Sequence, residues 1–151
     1  MYTTIVVGTD GSDSAAIAVR EAVELAKAAG STLHIVHAFQ PMNVATVAMS
    51  SGTGGPSIDV ENVNATITNN AQAVCDHATA KAEAAGVEFE AHLVPGDPSD
   101  ALITVAERVR ADLLVVGNRG MTGVKRFMLG SVPNKISHHA PCSVLIVDTT
   151  L

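Results

Sequence analysis

Tryptophan is absent from this 151-residue chain, and aromatic residues of all kinds make up only 3% of it. A core built from such a chain has to be aliphatic, made of Val, Ile, Leu and Ala. Cysteine is nearly absent. Cys75 and Cys142 lie far apart, which excludes a disulfide framework and a cysteine zinc spacing. Both read as small buried hydrophobes in a reducing compartment. Basic residues are also few: Lys+Arg 9 against Asp+Glu 15, a formal net charge of -6. That balance disfavours a nucleic-acid or anionic-membrane surface but leaves room for a local site for a small anion. No apolar run approaches the roughly 20 residues that span a bilayer. The start, Met1-Tyr2-Thr3-Thr4, lacks the basic and apolar segments of a signal peptide, so a cytoplasmic protein is expected. What is present is 47% hydrophobic residues, which excludes a disordered chain. The length suits one domain over residues 1–151.

Taken in order, strands and helices alternate. Thr4–Gly8 is a β-branched run ending in glycine, a buried strand. Thr9-Asp10-Gly11-Ser12 forms a turn, with Ser12 or Asp13 to cap a helix that Gly30 stops. Thr32–Phe39 is the second strand. Residues 40–59 hold Pro41, Met42, Met49 and Ser51-Gly52-Thr53-Gly54-Gly55-Pro56, and read as a long loop. A lid in which Met42 and Met49 fold over a ligand fits it, and so does an insertion without a role. A helix over 60–85 follows, with Ile67, Ala71, Val74, Ala78 and Ala82 at helical spacing and Cys75 beside them. Residues 87–94 alternate, Val87, Phe89, Ala91 and Leu93 one way, Glu88, Glu90 and His92 the other. This predicts an edge strand whose charged side is wet.

Asp97-Pro98 is a helix start, with Leu102, Val105, Ala106 and Val109 on the buried face. Leu113–Val116 is a central strand, 131–139 a short helix and 142–147 a fifth strand. The order predicts an α/β fold with a parallel sheet and right-handed crossovers. Ligands bind beyond the strand C-termini where the strand order reverses. Gly8 and Gly117 end two strands whose loops would meet there. Val144-Leu145-Ile146-Val147 at a sheet edge calls for cover, either by a two-fold partner or by the tail 148–151.

The most specific pattern is Gly117-x-x-Gly120-x9-Gly130-Ser131: strand, glycine-bearing loop, helix N-terminus. Glycines let backbone N–H groups approach an anion, and the helix supplies unpaired donors and a favourable dipole. Neither G-x-x-x-x-G-K-[ST] nor G-x-G-x-x-G occurs, which sets aside the ordinary NTPase and NAD readings. Arg119, Lys125 and Arg126 fall within the stretch. A phosphate cradle fits, as does a solvated basic loop with structural glycines. Asp10 by itself fits a turn residue. His34 and His37 lie three apart on a strand and face opposite ways. His138 and His139 diverge by about 100° on a helix. The six histidines therefore give no metal site and are expected on the surface or in packing. No nucleophile–base order stands out, and no catalytic residue is assigned.

The glycine spacing resembles the ATP-binding signature of the universal stress protein family. Ile5-Val6-Val7-Gly8-Thr9-Asp10-Gly11-Ser12 resembles that family's first strand and loop. The resemblance covers essentially the whole chain. It implies a Rossmann-like (adenine nucleotide alpha hydrolase-like) five-stranded parallel sheet of order 3-2-1-4-5 with helices on both faces. It also implies ATP binding and a homodimer, here through the strand Ser143–Val147. Carried over, Gly117, Gly120, Gly130, Ser131 and Val132 would hold ribose and phosphates. Thr9 and Asp10 would lie near the ribose or a nucleotide-bound Mg or Mn ion, Ala38 would offer backbone to adenine, and Val116 would line the pocket. Pro133 departs from relatives that carry a hydroxyl residue there. Cyclic AMP is an alternative ligand. The function implied is a nucleotide-controlled regulatory module of the stress response with a protein partner; a slow ATPase or autokinase is the alternative. Thr9-Asp10-Gly11-Ser12-Asp13-Ser14 also faintly resembles the S-G-G-x-D-S loop of ATP pyrophosphatases, with Asp10 where a glycine should stand.

Overall fold

The computed structural model describes residues 1–50, 57–119 and 128–150. Its elements are β1 (Thr4–Gly8), α1 (Asp13–Ala29), β2 (Thr32–Phe39), α2 (Val44–Ser50), α3 (Val60–Ala85), β3 (Phe89–Pro95), α4 (Pro98–Val109), β4 (Leu113–Gly117), α5 (Ser131–His139) and β5 (Ser143–Val147). All neighbouring strands are parallel, in the order β3-β2-β1-β4-β5. The chain winds outward from β1 in one direction and then the other. With right-handed crossovers, that reversal puts α1 and α3 on one face of the sheet and α4 and α5 on the other.

Continuous apolar strands feed both faces by alternation. Ile5, Val7, Leu33, Ile35, Leu113 and Val115 pack with Ala18, Val19, Ala22 and Val23 of α1 and Ala78 and Ala82 of α3. Val6, Val36, Leu114 and Val116 pack with Leu102, Val105 and Ala106 of α4 and Ile136 of α5. The helices contribute largely alanine, as a chain without tryptophan must: small side chains let helix and sheet approach closely. Cys75 is buried and Cys142 half-buried, and burial pushes both thiols up from their ordinary range.

Helix starts and stops follow local chemistry. The Ser12 hydroxyl accepts from Ala15 N–H at 3.1 Å, and the Asp59 carboxylate accepts from Asn62 N–H at 3.1 Å. Asp97 accepts from the N–H groups of Ser99 and Asp100, with Pro98 in the first turn. Gly30 and Gly86 close α1 and α3 in the left-handed conformation.

Three expectations change. The 40–59 segment is not a loop throughout, because Asn43 caps a short helix. Its carboxamide accepts from Ala45 N–H at 2.9 Å and its carbonyl from Thr46 N–H at 3.1 Å. That helix, α2, leaves Val44 and Met49 exposed, so no apolar stripe announces it. The Ser51–Pro56 run lies outside the described residues. Secondly, the charged side of β3 is only partly wet: Glu90, and Glu88 just before the strand, are exposed as expected, but His92 is not. His92 is the one buried residue of the strand, whereas Phe89 and Ala91 are exposed. Arg108 of α4 reaches over His92 at 2.9 Å and shields it. Thirdly, of the two covers open to β5 the tail is not one: among the described residues it adds no strand there. Asp148 and Thr149 instead bond to Asn118 at the exit of β4, so β5 stays at the edge.

Asp112, just before β4, clamps the start of β1. Its carboxylate accepts from Thr3 N–H and the Thr3 hydroxyl at 2.8 Å each and from Thr4 N–H at 3.2 Å. Desolvation opposes ionisation of this group, but the hydrogen bonds outweigh it and hold the carboxyl below its ordinary range. Asp112→Ala should lower the urea-unfolding free energy by roughly 1–2 kcal/mol at pH 7. A depressed carboxylate stabilises above its unfolded pKa, so the gap between the two proteins should close as pH falls below about 4. A pH-independent gap would show that the charge is not what holds the clamp.

Candidate functional site

The C-terminal ends of β1 and β4 are adjacent, but their chains leave for opposite faces of the sheet. Between them lies a cavity of about 120 Å³. Its floor is apolar: Val36, Ala38, Leu102 and Val116. Its rim is backbone and small polar groups: Thr9, Asp10, Gly117, Gly130, Ser131 and Val132, with Arg119 beside them. Eight residues singled out from the sequence thus surround one space. Gly120, Lys125 and Arg126 lie outside the described residues. Gly8, expected at the meeting of the two loops, lines it too, as do Ala15, Val36, Pro98 and Leu102, which were not anticipated. Leu102 belongs to a buried stripe, and nothing in the stripe marks which member floors a cavity.

Close approach explains two of the glycines. A Cβ on Gly8 would sit 2.9 Å from Leu102 Cδ1, and one on Gly117 would sit 3.1 Å from Thr149 Cγ2. Asn118, which sequence reasoning missed, holds the β4 exit in place. Its N–H donates to Val147 O at 2.8 Å and its carbonyl accepts from Gly130 N–H at 3.1 Å. Its carboxamide oxygen accepts from Thr149 N–H and hydroxyl, and its NH₂ donates to Asp148. One side chain thereby fixes the tail, and its backbone fixes the N-cap of α5.

That N-cap differs from the others. Gly130 caps α5 with no side-chain hydrogen bond. The N-caps of α1, α3 and α4 each use a hydroxyl or carboxylate on their own N–H groups. In the first turn of α5, Pro133 has no N–H, and Asn134 N–H bonds back to Gly130. Ser131 and Val132, which line the cavity, keep N–H groups with no partner among the described residues, at the positive end of the helix. Across the cavity, Asp10 uses one carboxylate oxygen to accept from Ser12 N–H at 2.9 Å. Thr9 is held by its N–H on Val36 O at 2.9 Å and by His37 Nδ1, whose proton bonds Thr9 O at 2.8 Å. Lys135 ties α5 to α4 through Asp100 at 2.8 Å and Asp97 at 3.5 Å. The arrangement suits a ligand with a flat apolar part and an anionic end.

A second cavity, of about 260 Å³, lies between α1 and α3 and includes Val19, Val74, His77 and Lys81. It is larger but has no open helix end, since Ser12 occupies the first turn of α1.

The chain matches the family model described as the universal stress protein family over residues 1–148. It is 37% identical over 150 residues to a universal stress protein of Mycobacterium tuberculosis, covering 99% of this chain and 98% of the relative. With the universal stress protein YxiE of Bacillus subtilis it shares 33% over 147 residues, 97% of this chain and 99% of the relative. A crystal structure of a universal stress protein in complex with cAMP superposes with a TM-score of 0.71 at 37% identity, covering 99% and 98% of the two chains. The universal stress protein from Archaeoglobus fulgidus in complex with dAMP gives a TM-score of 0.64 at 27% identity, covering 96% and 97%.

The uncapped helix yields a direct test. Gly130 has φ -59° and ψ 164°, which any residue adopts, and a Cβ there meets nothing closer than 3.5 Å. Gly130→Asp should cap α5 without loss of melting temperature. A charge about 4 Å from a bound anion costs roughly 1–4 kcal/mol at a protein surface. Anion affinity, read by calorimetry, should therefore fall at least about fivefold. Unchanged affinity would remove the α5 terminus from the site.

Proposed function

The chain belongs to the universal stress protein family, and on that premise we propose that it is an adenine-nucleotide-binding regulatory module. The observation that carries the reading is the pair of open N–H groups at Ser131 and Val132, facing strand-end Gly117 across an apolar floor. In this reading the phosphate rests on the Gly130–Val132 backbone and beside Arg119. The adenine lies against Val36, Leu102 and Val116, with its polar edge on the backbone of Ala38. Asp10, with one oxygen uncommitted by Ser12, receives the ribose or a divalent ion brought by the nucleotide. The relative crystallised with cAMP, at 37% identity, supports the ligand class.

ATP is the first ligand to test, and cyclic AMP the second. Pro133 favours the second, because it limits the first turn of α5 to two open amides, which suit one phosphate better than three. The module works by population shift: nucleotide stabilises one arrangement of α2 and the start of α3 and so changes a surface read by a protein partner. Met42 and Asn64 already bond in both directions there, at 2.7 and 3.1 Å. The apolar edge strand β5 is the surface for a two-fold partner.

Purified protein should release an adenine nucleotide on denaturation, and calorimetry with ATP and with cyclic AMP should give one site per chain in the micromolar range. Failure of both ligands to bind at millimolar concentration would end the reading. ATP turnover lost in Gly117→Ala would favour the ATPase; tight binding without turnover favours the module. Sedimentation equilibrium should give twice the chain mass of 15.5 kDa. A monomer would remove β5 as an interface.

A further inference from the structure

At the outer edge of the sheet, outside the residues that line the crevice, two buried histidines face each other. His34 on β2 and His92 on β3 are 7% and 8% exposed. His34 Nδ1 and His92 Nε2 stand 3.0 Å apart. Glu90 is the register partner of His34 and lies two residues before His92 on the same side of β3. Its carboxylate oxygens reach to 3.7 Å from His34 Nδ1 and 3.9 Å from His92 Nε2. These three ligand atoms all lie within 4.8 Å of one another.

The protons in this cluster follow from its fourth member. The Arg108 guanidinium, 2.9 Å from His92 Nδ1, can only donate, so that nitrogen carries a lone pair. Neutral His92 then has its proton on Nε2 and donates it to His34 Nδ1, which leaves the His34 proton on Nε2. A single proton thus bridges the two nitrogens. A tetrahedral metal ion held at about 2.0–2.1 Å by two imidazoles sets their nitrogens about 3.3 Å apart. The pair would need to open by only a few tenths of an ångström. Glu90 is 64% exposed and free to swing inward as the third ligand.

We propose that His34, Glu90 and His92 form a binding site for a divalent transition-metal ion of the zinc class, with Arg108 as its competitor. Two imidazoles and a carboxylate suit zinc, and an open fourth position takes water. Metal on His92 Nε2 moves the ring proton to Nδ1, where it meets the Arg108 donor. Arg108, exposed on α4, has to swing away, and its charge repels a dication while it stays. Metal-binding histidines normally donate their second N–H to an acceptor, the opposite of what Arg108 offers. The occupied site would bridge β2 to the edge strand β3, and it does not depend on nucleotide binding.

The test is titration of the full chain, stripped with chelator, with Co²⁺ followed by its visible spectrum and with Zn²⁺ in competition. One equivalent per chain is expected. Arg108→Gln places an amide oxygen where Nδ1–H needs an acceptor and should tighten binding about tenfold or more. Glu90→Gln, at an exposed position, should weaken binding by at least about tenfold. His92→Phe should abolish it, with far-UV circular dichroism confirming the fold. The proposal is overturned if neither wild type nor Arg108→Gln takes up Co²⁺ or Zn²⁺. It is equally overturned if Arg108→Gln binds no tighter than wild type, or if folded Glu90→Gln binds as well as wild type.

Discussion

Everything in this molecule depends on one constraint of parallel sheets: where the strand order reverses, the right-handed crossovers on the two sides of the reversal lie on opposite faces. β1 stands at that reversal. α1 leaves it on one face, α4 and α5 lie on the other, and the ends of β1 and β4 are left without a helix above them. Backbone N–H groups at such a place have lost their strand partners and have not yet found helix partners. The crevice is therefore polar at its rim because the main chain is, whatever the side chains.

The side chains decide how open that rim stays. At α1, α3 and α4 a hydroxyl or carboxylate reaches back and occupies the first turn. At α5 a glycine stands in that position, and its own N–H is committed to the Asn118 carbonyl. Asn118 in turn anchors the tail through Asp148 and Thr149. Thr149 packs against Gly117, so tail, strand end and helix terminus form one unit. Stability and site geometry are coupled through a single carboxamide, which no motif pointed to.

The two edges of the sheet are managed differently. β5 presents aliphatic residues, half-buried in the single chain, and invites a partner. β3 carries Glu90 and His92, with Glu88 just before it, and charged residues on an edge discourage pairing. The burial of His92 beneath Arg108 turns part of that defence into a polar cluster linking β2, β3 and α4.

Much of this was legible without coordinates, since strand alternation, helix caps and the Gly117 to Gly130 spacing are written in near neighbours. The aliphatic runs of β1 and β4, the Asp97-Pro98 start and the Gly30 and Gly86 stops needed no tertiary information. The helix over 44–50 was missed because Asn43 specifies it through hydrogen bonds and its apolar residues face outward. The burial of His92 beneath Arg108 was not legible, because alternation tells which residues share a side, not where along it a neighbouring helix covers them. Local order along the chain fixed the elements, their class and the phosphate-ready backbone, because those depend on contacts within a few residues. Only the folded chain brought His34 to His92, Asn118 to Thr149 and Leu102 to Gly8, because those contacts join residues far apart in sequence and arise from packing, which no local pattern encodes.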